Sequence, residues 1–176
     1  MPADELINKV TWKIPNALAL VGSRSGDEWN AMTTSWITQV AMEPVSIAVS
    51  VDRTAVTHRL ISESGAFTVN LWSPDDTRPF VKFSKPAMFD DMRLNGFEIR
   101  VGITGAPIFA KAIAWLECEV RETMHFVSHS LFVGELVDCD LVDPEAKRAA
   151  AMSDTRMKYG GVPRGGHRET PVQSKS

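Results

Sequence analysis

At 176 residues, with 44% hydrophobic and 23% charged side chains, the chain has the size and composition of one globular domain with a sizeable core. A formal net charge of −3 and a pI near 5.8 argue against a general nucleic-acid binder, which would carry a basic face. Two cysteines, Cys118 and Cys139, are too few for a disulfide framework, and both lie in apolar strand-like runs, so they read as buried reduced thiols of a cytoplasmic protein. The acidic opening MPADELINKV has no apolar core of a signal peptide, and no apolar run is long enough to cross a bilayer.

Residues 1 to 16 read as a lead-in ending at Ile14-Pro15. The short apolar run Ala17 to Ser23 predicts a buried strand, and Ser25-Gly26-Asp27-Glu28 a turn. Pro44 opens the apolar run Val45-Ser46-Ile47-Ala48-Val49-Ser50-Val51, a second strand. Val56, Leu60 and Ile61 then recur at helical spacing, with Gly65 where a C-terminal cap belongs. Ala66 to Leu71 alternates as a strand. Ser73 to Asn95 predicts one or two short helices with irregular joints, and Gly96 to Pro107 short strands and turns. Ala110 to Glu122 and His129 to Asp143 read as a hairpin turned at Thr123 to Ser128, with Glu117 and Glu119 on its wet face and Leu116, Cys118 and Val120 packed inward. Glu145 to Met152 is an alanine-rich helix candidate. Residues 1–152 form the expected domain, and 153–176 a glycine-rich basic tail whose Arg156, Tyr159 or Arg164 could fold back on the site.

The stretch Asn30 to Asp52 organises the rest. Thr33, Thr34 and Ser35 stand between Met32 and Trp36, and directly behind the strand come Arg53, Thr54, Thr57 and His58 at a helix start. Hydroxyls and free N–H groups at a helix start suit an anion such as phosphate. An apolar slot beside them suits a flat ring with a phosphate tail. The bland alternatives are turn residues for the hydroxyls, core for Trp36 and a helix cap for Thr54. By alternation Ser50 and Asp52 share a strand face.

Asn30 to Trp36, Val49-Ser50-Val51-Asp52, Thr57-His58-Arg59-Leu60-Ile61, Gly65 to Asn70, Gly105-Ala106-Pro107 and His129 to Glu135 stand in an order that resembles the flavin reductase-like, FMN-binding split-barrel family, over roughly residues 15 to 140. The resemblance implies a mainly β fold, a Greek-key split barrel of six or seven strands with a few short helices, and a homodimer. It implies FMN held by Asn30, Met32, Thr33, Thr34, Ser35, Trp36, Ser50, Val51, Asp52, Arg53, Thr57 and His58. His129 aligns with the histidine of a Gly-Asp-His motif near the nicotinamide, although the triplet here is Val127-Ser128-His129; a polar residue opening a strand is the competing reading. The family's phosphate-side lysine is missing, and Arg53, Lys82 or Lys85 is left to supply the charge.

His125 and His129 stand four apart around the expected hairpin, with no cysteine or carboxylate to complete a zinc set, so no metal is expected. The leading expectation is an enzyme moving a hydride from NAD(P)H to FMN. The alternatives are a flavoredoxin-like FMN electron carrier serving a redox partner protein, and a module of the same fold holding a haem or deazaflavin.

Overall fold

The computed structural model describes residues 2–163, so Arg164 and the rest of the basic tail lie outside it. The chain packs as two units, residues 2–15 with 157–163, and Asn16–Arg156.

The first unit contains a helix, α1 (Asp4–Thr11), where a lead-in was expected. Asp4 and Glu5 in the first turn and Lys9 in the last suit the helix dipole, and Lys9 pairs with Glu5 at 2.5 Å. Trp12 Nε1 donates to the Gly160 carbonyl at 3.2 Å, Val162 N–H to Asn8 Oδ1 at 2.9 Å, and Lys158 lies over the Trp12 ring.

The second unit is mainly β. In chain order it runs β1 (Ala19–Ser25), β2 (Glu28–Thr34), β3 (Ile37–Met42), β4 (Val45–Asp52), α2 (Val56–Ser64), β5 (Ala66–Leu71), α3 (Arg78–Lys82), β6 (Phe89–Asp90), β7 (Arg93–Leu94), β8 (Phe97–Val101), β9 (Pro107–Phe109), β10 (Ala114–His125) and β11 (His129–Leu141). The large sheet has seven strands in the order β2-β1-β5-β10-β11-β4-β3, every pair antiparallel. Its two end strands, β2 and β3, are consecutive in sequence and joined only by Ser35 and Trp36. A flat sheet of that size would hold its ends ~29 Å apart at ~4.8 Å per strand, whereas the link reaches about 11 Å. The sheet must therefore curl on itself. Ser50 N–H donates to the Trp36 carbonyl at 3.0 Å and holds the link against β4, while β2 and β3 stay unpaired with each other. That is the geometry of a split barrel.

Val21, Val49, Val51, Phe67, Val69 and Phe132 fill the barrel, with Ile61 of α2 packed on them. Each large apolar side chain buried here contributes about 1.5–3 kcal/mol. Gly134 leaves room for this packing, because a Cβ there would lie 2.7 Å from the Phe67 ring and 2.8 Å from Cys118 Cβ. Gly65 ends α2 at φ 69°, with its N–H on the Ile61 carbonyl.

A second layer, β6-β7-β8-β9, covers the sheet. Thr68 Oγ1 donates to the Pro107 carbonyl, and Asn70 Oδ1 accepts from Phe109 N–H, so a buried polar seam joins β5 to β9. Trp72, Phe83, Phe97 and Phe109 form an aromatic cluster there with edge-on and tilted contacts.

Several expectations are corrected. Ser73 to Asn95 holds one short helix, as expected of it, but part of what was expected as irregular joints pairs as the β6–β7 hairpin. The turn of the long hairpin is tighter than expected, since β10 runs on to His125 and Phe126 N–H donates to the His129 carbonyl at 2.8 Å. Glu117 is fully buried rather than wet: alternation holds, with Leu116, Cys118 and Val120 on the core face, but the 102–106 loop folds over the opposite face and covers the carboxylate. Ile103 and Thr104 donate their N–H groups to it, and Thr104 its hydroxyl. Cys118 is buried, and burial first, then Glu117, pushes its thiol up to about 12. Cys139 is exposed: β11 has thirteen residues, roughly 43 Å of strand, and its far end outruns the core. Glu145 to Met152 is not a helix. Ala151 instead bridges to Ala17, Ala150 N–H donates to the Trp72 carbonyl, and only Met152–Asp154 makes a 3₁₀ turn.

Candidate functional site

The site is built where β4 ends, α2 begins and the β10–β11 hairpin turns. Register sets it: His129 pairs with Asp52 and Ser130 with Val51. Asp52 Oδ1 accepts both the N–H and the hydroxyl of Thr54, at 2.8 and 2.7 Å. The Thr54 backbone N–H chiefly, then its hydroxyl and the nearby His129 and His58, hold the Asp52 carboxyl below the usual range, against burial, which acts the other way. Thr54 is thus spent on Asp52. The residue at the helix N-cap is Ala55, with no side-chain cap.

Arg53 follows the hairpin tip, its N–H on the Ser128 carbonyl at 2.9 Å and Nη1 on the Phe126 carbonyl at 3.3 Å. It is the cation that the fold brings to the end of β4. Lys82 lies over Phe97 in the second layer.

His58 stands in the first turn of α2. Its Nε2 is 2.8 Å from Ser130 Oγ, and its ring packs on Phe132 with centroids 5.1 Å apart. Burial first, then Arg53 and His125, push its pKa down, with Asp52 opposing and His129 adding to the fall. His125 Nδ1 approaches the same Ser130 hydroxyl at 2.9 Å. His129 places its ring 5.1 Å from Trp36, and its Nδ1 is 2.9 Å from Ser128 Oγ.

The remaining predicted residues divide. Trp36, Ser50, Asp52, Arg53, His58 and His129 meet at this end of the barrel. Val51 gives its side chain to the core. Asn30 and Thr57 find each other: Asn30 Nδ2 donates to Thr57 Oγ1 at 2.8 Å, both are buried, and Asn30 Oδ1 accepts from Ala87 N–H. Thr33 gives its N–H to the Phe83 carbonyl and its hydroxyl to that of Phe80, anchoring α3 beside half-buried Met32. Thr34 and Ser35 are different. Both hydroxyls are buried without a protein partner, a cost the fold carries at the β2–β3 link.

Ser130 and the relation of His125 to it were missed. The available signal was alternation: Ser130, Phe132 and Gly134 share the inward face of β11, so a serine there must meet a buried polar partner. Among the described residues no group of three metal-ligating side chains could hold a metal ion. No described helix is long and apolar enough to cross a membrane.

Residues 12–161 match the model of the flavin reductase like domain. The chain belongs to that family. A ferric-chelate reductase (NAD(P)H) of Archaeoglobus fulgidus is 31% identical over 157 residues, covering 87% of this chain and 91% of the relative. The NADH-dependent flavin reductase StyB of Pseudomonas fluorescens is 29% identical over 136 residues, 77% of this chain and 76% of the relative. Among solved structures, an FMN-binding protein from Thermus thermophilus superposes with a TM-score of 0.66 at 26% identity, covering 74% of this chain and 72% of that one.

Proposed function

We propose that this flavin reductase-like chain binds FMN at the end of β4 and reduces it with a hydride from NAD(P)H. The observation that carries the reading is that Arg53, His58 and His129 gather where β4 ends, with His129 against Trp36, whose chain neighbours Thr34 and Ser35 have buried, unpartnered hydroxyls. Two orphaned hydroxyls beside a cationic strand end fit a ligand with a polar ring edge and a phosphate. FMN, when bound, supplies the hydride-accepting ring.

The protein's own part is positioning. Arg53 offers a permanent cation to the phosphate, and at the start of α2, where His58 N–H already donates to the Ala55 carbonyl at 3.1 Å, the N–H groups of Val56 and Thr57 precede the first helical hydrogen bond. Trp36 gives an aromatic wall on the link. His129 is held by Ser128: if the serine hydroxyl donates into Nδ1, Nε2 carries the hydrogen and can donate to a nicotinamide carboxamide. In this reading the Ser128 hydroxyl takes the orienting place of the family's carboxylate. Hydride transfer needs the donor carbon within about 3–3.5 Å of its acceptor, so small losses of orientation are costly.

The same reading prefers FMN to riboflavin, which lacks the phosphate. Titration of both, followed by anaerobic mixing with NADH or NADPH, tests it: FMN binds far more tightly, and either nucleotide bleaches the bound flavin. Equal affinities sink the phosphate assignment.

We also propose a homodimer. Val40 and Met42 on the end strand β3 and Val127 at the hairpin tip are 51%, 86% and 99% exposed, apolar surface that a second copy would cover. Light scattering that returned a 19.4 kDa monomer with FMN bound would contradict it.

A further inference from the structure

We propose that His58 takes up a proton when the phosphate-bearing ligand binds, and that Ser130 is the built-in acceptor that makes this possible. The inference rests on the FMN reading above. Its geometry is a hydroxyl between two imidazoles: Ser130 Oγ lies 2.8 Å from His58 Nε2 and 2.9 Å from His125 Nδ1, and Ser130 itself is fully buried.

A hydroxyl has one hydrogen to give and lone pairs to receive. With both histidines neutral, Ser130 accepts from one and donates to the other. With His58 protonated, Nε2–H donates to Ser130 Oγ, and the serine turns its own hydrogen to His125 Nδ1 as acceptor. Every bond is kept and the proton count rises by one. With both imidazoles charged, Ser130 would receive from both sides, and two cations would share one buried hydroxyl. The arrangement therefore has room for a single proton, assigned to His58 because it stands in the first turn of α2, where the phosphate would bind.

The surroundings decide when it is taken. Asp52 faces His58 from β4 and favours the cation, but its carboxylate is already engaged by Thr54. Arg53 just past β4, His125 from β10 and His129 from β11 oppose it. Phe132 of β11 offers only its ring. On α2 the neighbouring Arg59 is paired with Glu63 and with Glu28 of β2, and Arg24 of β1 lies over Trp29, which leaves these charges occupied elsewhere. The free site is thus short of negative charge. A dianionic phosphate at Arg53 reverses that balance, and His58 then gains a proton.

The test is the pH dependence of affinity, read by titration of FMN and riboflavin between pH 6.5 and 8.5 in phosphate-free buffers. Above pH 6.5 the phosphate is already mostly dianionic, its second pKa being near 6. The Kd for FMN rises about three- to tenfold per pH unit in the steep part of the range, tenfold being the limit for one linked proton, while riboflavin binding stays flat. His58→Gln flattens the FMN profile but keeps FMN tighter than riboflavin, since Arg53 remains. Ser130→Ala moves the steep part to lower pH; if that buried variant fails to fold, His58→Gln alone decides. Equal binding of FMN and riboflavin would overturn the phosphate site itself. FMN preferred with a flat profile, or a steep profile unchanged in His58→Gln, overturns the proton uptake while leaving the site standing.

Discussion

His129 is the residue whose loss should cost rate. Its ring borders Trp36 and its Nδ1 is held by Ser128, so truncation removes the imidazole from the proposed site. His129→Ala is expected to slow anaerobic bleaching of bound flavin by NADH roughly tenfold or more, about 1.4 kcal/mol of barrier. Rapid reduction unaffected by the substitution would move the donor role elsewhere. His58 makes a separate prediction in the free protein. Its folded pKa is depressed below the ordinary 6.5, chiefly by burial, so the unfolded chain binds its proton more readily. Stability from this group is therefore complete above the unfolded value and is lost as pH falls from about 6.5 toward the depressed folded value. Urea midpoints at pH 8 and pH 5.5 should differ less in His58→Gln than in the parent chain.

At the scale of elements, the 102–106 loop depends on one buried carboxylate. Glu117→Ala leaves the N–H groups of Ile103 and Thr104 without their acceptor and is expected to cost roughly 3 kcal/mol, measured by urea unfolding. Gly134→Ala drives a methyl to 2.7 Å from the Phe67 ring and 2.8 Å from Cys118 Cβ and should cost about 1–3 kcal/mol, read from the same unfolding curves. These two positions also show where sequence reading ends. The strand–helix–strand around Arg53 to His58 was legible because alternation, helical spacing and a terminal glycine all agree over Val45 to Asn70. Glu117 was not, since alternation gives its face correctly but the loop that covers that face is one no local pattern connects to it. The alanines of 149–151 favour a helix locally, yet their bonds to Trp72 and Ala17 prevail. Ser130 shows the same limit within the site. Its two histidine partners come from α2 and β10, and only the register brings them together.

For the whole molecule, the order of seven strands and the short Ser35-Trp36 link bring residues from β2, β4, α2 and β11 to one end of the curled sheet. We hold that this end binds FMN and that a hydride passes to the flavin there. The most direct test is the absorption spectrum of the FMN-loaded protein under anaerobic conditions, before and after NADH or NADPH. Loss of the oxidised-flavin band on adding either nucleotide is the expected result. A spectrum unchanged by both nucleotides but bleached by dithionite would contradict the reductase reading and leave an FMN electron carrier in its place.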